Sequence, residues 1–329
     1  MRRARSVVVC GALARDVMLS CSTQFREHLL DHPGTLSVTF PVEHVRVRPG
    51  GAAANIAYGL SRLGLRPCLL GSVGEDGAPL LERLAQSGVD VDSVWVSGTQ
   101  VTPTYYSATD TEGASVGFFY SGEEAKELPE GPSLSSLHDR LRTIDTVVIT
   151  PHRPSSMLRY AEEAQVLNAT VIADPGQQVT ALSNTALARL ADLASLVVLN
   201  SYERALLRRR TGWTETELLQ RSKILVTTAG SDGCQIESEG CSITLPAVIA
   251  TLRHDAVGAG DAFRAGLVGG ILFDLDLTRS AQLGAAMASF AVEADGPQEY
   301  ELDIAAVIAR LRAQYGTDAA ETIRDVLPR

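Results

Sequence analysis

Short apolar runs alternating with stretches of three-to-four-residue periodicity dominate the second half of the chain. Strands are expected at Thr146 to Thr150, Thr170 to Asp174, Leu196 to Asn200 and Ile224 to Thr228. Helices are expected at Ser155 to Leu167, Asn184 to Leu193, Ser201 to Arg209 and Glu215 to Arg221. Short apolar strands alternating with helices imply an α/β fold with a parallel sheet covered on both faces. A hairpin follows, Cys234 to Glu237 and Ser242 to Leu245, turned at Glu239-Gly240. The remainder reads as helices at Gly260 to Phe273, Thr278 to Ala294 and Leu302 to Tyr315.

The first half is less regular. Ser6 to Cys10 reads as a strand, Pro67 to Ser72 as another, and Ala78 to Gln86 as a helix. Gly50-Gly51 opens a helix whose Ala53, Ile56, Ala57, Leu60 and Leu63 share one face, and Gly64 is its stop. Two segments interrupt this pattern. Asp16 to Val47 reads as irregular, with short β-like pieces such as Leu36 to Phe40; Val101 to Tyr120 is β-like and leads into the acidic stretch Gly122 to Glu130. The two could pair as a small β lid, made of segments 12–48 and 98–124, on a single domain spanning 1–329. Ligands in open α/β sheets bind at the carboxyl ends of the strands, and a lid there would exclude water from a reactive phosphoryl group. There is no internal repeat and no low-complexity linker.

Composition narrows the class. The 329 residues are 45% hydrophobic and 21% charged, enough to bury a large core. A net charge of -10 argues against a nucleic-acid partner, which would need a basic face. The densest basic run, Arg208-Arg209-Arg210, ends a predicted helix and is expected to complement its dipole. Five scattered cysteines without a Cys-x-x-Cys point to a reducing, cytoplasmic setting, and the absence of His-x-x-x-His argues against zinc. Arg2, Arg3 and Arg5 before the apolar run Val7 to Ala14 loosely imitate a signal peptide. That run is short, glycine-interrupted and followed by Arg15-Asp16, so a buried first strand is the better reading. No apolar stretch is long enough to span a membrane, and the sequon Asn168-Ala169-Thr170 then carries no meaning.

The stretch Asp255-Ala256-Val257-Gly258-Ala259-Gly260-Asp261-Ala262-Phe263 carries the candidate chemistry. Its glycines let the backbone turn tightly and aim successive N–H groups into one concavity, and the helix that follows adds its unpaired donors and positive dipole end. This suits a transferring γ-phosphate. Asp261 lies at the mouth of that anion site, where a carboxylate is unfavourable unless it has a task; accepting the proton of an attacking hydroxyl is one. The alternative is a simple helix cap. No Gly-x-x-x-x-Gly-Lys-Ser/Thr occurs, so this is not a P-loop enzyme, and no Gly-x-Gly-x-x-Gly follows the first strand.

The chain resembles the ribokinase-like (pfkB-type) family of sugar and nucleoside kinases. One matching signature is Gly50-Gly51-Ala52-Ala53-Ala54-Asn55-Ile56-Ala57 with Leu63-Gly64 and Gly71-Ser72-Val73-Gly74-Glu75-Asp76; the other is Asp255 to Phe263. Asn200-Ser201-Tyr202-Glu203 between them matches the family's Asn-x-x-Glu. The resemblance covers nearly the whole chain. It implies a three-layer α/β/α domain, Asp261 as catalytic base, and an anion hole formed by the amides of Gly258, Ala259, Gly260 and Asp261. It also implies ATP as phosphate donor, with Asn200 and Glu203 organising Mg²⁺ through water. Glu203 has a second reading, as a favourable charge in the first turn of a helix capped by Ser201.

Within the family, the adenosine kinases of high-GC Gram-positive bacteria are the most similar, through Asp174-Pro175-Gly176-Gln177-Gln178, Thr211-Gly212-Trp213, Val226-Thr227-Thr228, Asp261-Ala262-Phe263-Arg264-Ala265-Gly266 and Arg279-Ser280-Ala281-Gln282-Leu283-Gly284. That likeness implies that Asp16, Gly50, Gly51 and Asn55 bind the ribose and its hydroxyls. Gln177 and Gln178 would reach the base or ribose, and Tyr105 and Phe119 would stack on the base. ATP's adenine is expected near Thr228, Gly230, Gly233 and the Ala286 to Gly296 helix end. Ala12 stands where a serine is usual, and Thr39 and Tyr105 where a serine and a phenylalanine are; these bear on base preference or on a shift to a free sugar. Ala256-Val257 lacks the usual threonine hydroxyl, which leaves activation by K⁺ open. A homodimer through the lid is expected, because a small sheet has an edge and face that a second lid can cover.

Overall fold

The computed structural model describes residues 5–29, 38–122, 132–252 and 257–328. An eight-stranded sheet runs β14-β13-β12-β11-β10-β9-β1-β4. Its parallel part is β1 (Val7–Cys10), β4 (Cys68–Leu70), β9 (Thr146–Ile149), β10 (Thr170–Ala173), β11 (Leu196–Asn200) and β12 (Ile224–Thr228). The hairpin β13 (Cys234–Ser238) and β14 (Cys241–Leu245) adds the antiparallel edge.

Alternating side chains of β1 feed two cores. Val7 and Val9 join the helices α2 (Ala52–Arg62), α3 (Ala78–Gln86), α9 (Ala259–Leu272), α10 (Leu277–Glu293), α11 (Ile304–Tyr315) and α12 (Thr317–Arg324) on one face. Val8 and Cys10 join α4 (Leu134–Leu141), α5 (Pro154–Val166), α6 (Asn184–Leu193), α7 (Ser201–Thr211) and α8 (Glu215–Ser222) on the other. Burial on both faces explains why these strands are continuous apolar runs.

The fold follows the expected α/β class, with local differences. Asp16 to Val47 is not irregular: it holds β2 (Ala14–Cys21) and most of β3 (Val42–Gly50), with the short helix α1 (Phe25–Leu29) between them. Residues 38–40 are coil and not strand, and the rest of the Leu36 to Phe40 piece lies outside the described residues. Pro67 to Ser72 breaks at Gly71, because β4 enters the main sheet while β5 (Ser72–Gly74) pairs with β6 (Trp95–Ser97). Helices α4 and α12 have no counterpart in the expected pattern.

β2 and β3 combine with β7 (Thr104–Thr109) and β8 (Ser115–Tyr120) into a four-stranded sheet, β3-β2-β7-β8. Register divides its side chains between two faces. Arg48, Asp16, Tyr105 and Phe119 stand in one cross-strand row; Val47, Val17, Tyr106 and Phe118 stand in the next, on the opposite face. Phe25 packs edge-on against Phe40 with ring centroids 4.7 Å apart, and Asp110 accepts from the Phe25 amide at 2.9 Å.

A carboxylate from the turn after β5 is shared by both halves of this sheet. Asp76 accepts from the Thr102 amide at 2.8 Å and hydroxyl at 2.7 Å, just before β7, and pairs with Arg15 of β2 at 2.7 Å.

Candidate active site

The carboxyl ends of the parallel strands place the candidate residues. Cys10, Ile149 and Ala173 are in register. Beyond them come Ala12, Pro151 and Asp174, and the Asp174 amide donates to the Ile149 carbonyl at 2.7 Å. The 3-10 turn Gly176–Thr180 then carries Gln177, exposed, and Gln178, half-buried. Arg210 at the end of α7 donates to the Val179 and Thr180 carbonyls of that turn, and Arg208 pairs with Glu215 at 2.5 Å. The Arg208 to Arg210 run therefore does more than complement a helix dipole: Arg210 braces the glutamine turn, and Arg208 holds the start of α8.

Two helix N-termini meet here. α2 starts after Gly51, whose φ of 91° places it in the left-handed region; a Cβ there would lie 2.5 Å from the Ala12 carbonyl oxygen. Asp16 sits directly over the neighbouring Gly50, where a Cβ would come within 2.5 Å of both carboxylate oxygens. α9 starts after Gly258, with φ 83° and the Pro297 ring 2.3 Å from where a Cβ would be. The first internal bond of α9 runs from the Ala262 amide to the Gly258 carbonyl at 2.9 Å. The amides of Ala259, Gly260 and Asp261 therefore have no partner inside the helix, and among the described residues no N-cap side chain takes them. Asp255 and Ala256, with the cation question they raise, lie outside the described residues.

Asp261 Oδ2 accepts from Asn55 Nδ2 at 2.8 Å, so one hydrogen bond joins the starts of α2 and α9. Asn55 Oδ1 in turn accepts from Gln298 Nε2 at 2.9 Å. Desolvation by the surrounding protein pushes the Asp261 carboxyl above the usual carboxylate range; Arg264 and the Asn55 bond oppose this, and Glu203 adds to it. One turn along α9, Arg264 is buried against Asp174. Its Nη2 donates to Oδ1 at 3.0 Å, while Nε lies 2.5 Å from Oδ2 outside hydrogen-bond geometry. Glu203 approaches the same guanidinium at 3.9 Å. Burial also drives the Asp174 carboxyl upward, against the pull of Arg264.

Asn200 and Glu203 form a reciprocal cap on α7. Asn200 Oδ1 accepts from the Glu203 amide, and Glu203 Oε2 from the Asn200 amide, both at 2.8 Å. The cap is Asn200 and not Ser201, whose hydroxyl donates to the Thr228 carbonyl at 3.2 Å. Thr228 pairs in register with Asn200 at the end of β12, followed by the half-turn carrying Gly230 and Gly233. Among the described residues, no three His, Cys, Asp or Glu side chains converge as a direct metal cage.

The structure thus brings Asp16, Ala12, Gly50, Gly51, Asn55, Asp174 and Asp261 to one end of the sheet. Tyr105 and Phe119 share Asp16's face of the lid, whereas Thr39 is exposed on the coil leading into β3. Arg264, Asp174, Gln298 and Asp76 have roles that motif reading left unassigned. A lone arginine inside the apolar run of α9, and an acid ending an apolar strand, are signals of a buried pair.

A carboxylate beside the free amides of a helix N-terminus is an arrangement that suits phosphoryl transfer. The model of the pfkB family carbohydrate kinases matches residues 8–304, and the chain belongs to that family. It is a phosphotransferase of hydroxyl acceptors in an ATP-using family. A nucleoside kinase of Methanothermobacter thermautotrophicus is 30% identical over 96% of this chain and 98% of its own. An ATP-dependent ribose-1-phosphate kinase of Halopiger xanaduensis is 29% identical over 75% of this chain and 81% of its own. The structure of a Burkholderia thailandensis nucleoside kinase in complex with inosine superposes with a TM-score of 0.82 at 28% identity, covering 95% of this chain and 99% of that one. Among the described residues, no helix is long and apolar enough to cross a membrane.

Proposed function

We propose that this kinase transfers the γ-phosphate of ATP to the 5′-hydroxyl of a ribonucleoside, adenosine or a close purine analogue. The observation that carries this is the Asn55–Asp261 hydrogen bond, which ties the start of α2, beside Asp16 and Gly50-Gly51, to the start of α9, with Tyr105 and Phe119 on Asp16's face of the lid. A nucleoside needs that aromatic surface; a free sugar does not. The nucleoside kinase relatives support the same class.

In this reading Asp16 and Asn55 hold the ribose diol over Gly50-Gly51, with Ala12 and Thr39 toward the lid side. Gln177 and Gln178 read the base or ribose edge, and Tyr105 and Phe119 stack on the base. Asp261 takes the proton of the attacking hydroxyl. Its raised pKa brings the acid closer to the working pH than an ordinary carboxylate. The amides of Gly258, Ala259, Gly260 and Asp261 hold the developing charge on the phosphoryl oxygens. ATP lies along Thr228, Gly230 and Gly233. The donor set fits Mg²⁺ held through water: Glu203 is buried and fixed by Asn200, and no direct cage competes among the described residues. Bound Mg²⁺ would neutralise charge on the phosphates.

A second reading, a kinase of a sugar or sugar derivative, draws on Arg46 and Arg48, two cations on Asp16's face of the lid. A phosphorylated sugar would suit them, although both already pair with Asp295. A panel of adenosine, inosine, ribose, fructose and ribose 1-phosphate with MgATP separates the readings. AMP from adenosine is expected; efficient turnover of the sugars with none of the nucleosides would overturn the proposal.

The outer lid face exposes Val45, Val47, Tyr106, Val116 and Phe118, the last at 66%. A second copy's lid covering it makes the homodimer, which light scattering at micromolar concentration reads directly; a monomer there overturns it.

A further inference from the structure

The amide chain behind Asp261 points to a residue that the phosphoryl-transfer reading leaves idle. Gln298 lies just after Gly296-Pro297, the segment that presses on Gly258. Its side chain is fully buried, and its main-chain carbonyl is pinned by Arg83 at 2.9 Å. Nε2 donates to Asn55 Oδ1, and Asn55 Nδ2 donates to Asp261 Oδ2. Gln298 Oε1 is buried with no partner among the described residues. Burying an amide oxygen unsatisfied costs stability, so its retention needs a reason.

We propose that Gln298 is a positioning residue that sets the direction of the Asn55 amide and thereby holds Asp261 as an acceptor. The inference rests on the reading of Asp261 as general base. While Asp261 is ionised, only the NH₂ side of Asn55 can face it, and the Asn55 carbonyl then requires a donor behind it. Gln298 supplies that donor. When Asp261 takes the proton of the acceptor hydroxyl, the polarity of the chain reverses. Protonated Asp261 donates to Asn55 Oδ1, and Asn55 Nδ2 donates to Gln298 Oε1. Both amides turn over without gaining or losing a proton, and the unpartnered oxygen finds its partner in that second state. The chain thus accommodates both protonation states of a half-buried base.

Other charged groups face Asp261 as well: Arg264 from its own helix, Glu203 from α7, Asp174 from the end of β10, and Tyr300 from the segment after α10. None of them touches the Asn55 carbonyl in a described contact, so a change at position 298 isolates the amide chain.

The test replaces Gln298 with methionine, which keeps the volume and removes the donor and the acceptor. In Q298M, kcat is expected to fall about tenfold, part of the roughly 10²–10⁴ that general-base catalysis supplies. The KM for ATP stays within about twofold, and the acid limb of the kcat–pH profile moves up by about one unit as Asp261 loses a fixed donor. A folded Q298M with unchanged kcat and an unmoved acid limb overturns the inference. D261N in parallel separates the two claims: if it retains turnover, the base assignment fails whatever happens at 298. If methionine prevents folding, the wild-type protein still decides. The Gln298 and Asn55 side-chain amide resonances should shift together across the acid limb, and a fixed Gln298 signal beside a moving Asn55 signal overturns the proposal.

Discussion

In the central sheet Val7–Cys10 and Thr146–Ile149 are buried at every residue, whereas in the lid Ser115–Tyr120 is exposed at every residue. In the proposed function the two sheets hold opposite ends of one site. The phosphate end is built from the buried Asp174, Arg264 and Glu203 and a half-buried Asp261. The acceptor end carries Tyr105 and Phe119 on a surface that still meets solvent. Charges cost most where water is absent, so a change at the first end alters catalysis and folding together. A change at the second alters recognition and leaves folding nearly untouched.

The comparison breaks first at Asp261. Turnover of D261N should fall by about 10²–10⁴, read in a coupled ADP assay. The same substitution should stabilise the fold. The Asp261 carboxyl is raised in the folded state from an ordinary 3.8, so its contribution to stability is full below that value and is lost as pH rises through the folded pKa. D261N should therefore melt above the wild type at neutral pH, with the gap closing as pH falls toward about 4. A lower melting point at neutral pH would contradict the desolvated environment.

Next in size, R264M leaves Asp174 buried without its partner and should cost about 3–5 kcal/mol by urea denaturation. A loss under about 1 kcal/mol would mean that the pair is open to water. On the lid, F119A should raise the KM for adenosine roughly 5- to 50-fold, from the worth of one base–aromatic stack. Its melting temperature and its turnover of any free-sugar acceptor should barely move. The smallest effect is expected for R48M, which breaks a pair with the exposed Asp295 and should change stability by less than about 1 kcal/mol.

The same contrast decides how much the chain discloses before it folds. Val7–Cys10, Thr170–Ala173 and Leu196–Asn200 are apolar runs because both faces are covered, and they read directly as strands. Val42–Gly50 carries the alternation Val45-Arg46-Val47-Arg48, but six of its nine residues are exposed and its neighbours come from distant segments, so composition hides the strand. Gly258 and Gly51 were legible because each needs a positive φ and a close approach. Gln298 was not, since a glutamine after Gly-Pro looks like loop surface until the fold brings Asn55 beside it. Ser201 was the cap suggested by residue type, yet Asn200, the last residue of the strand, holds the position because α7 already begins at Ser201.

Asp76 gives the lid a mechanical character. The two lid segments are far apart in sequence, yet Arg15 at the root of one and Thr102 at the root of the other clasp the same carboxylate. The sheet is footed there and again where Arg46 and Arg48 of β3 reach Asp295 just past the end of α10. Backbone pairing joins all four strands, so Asp16, Tyr105 and Phe119 hold one cross-strand row whose spacing the register fixes. In the proposed function, the shape of the acceptor that fits is then set by the register of one sheet, and its distance from the phosphate by where the roots of that sheet are clasped.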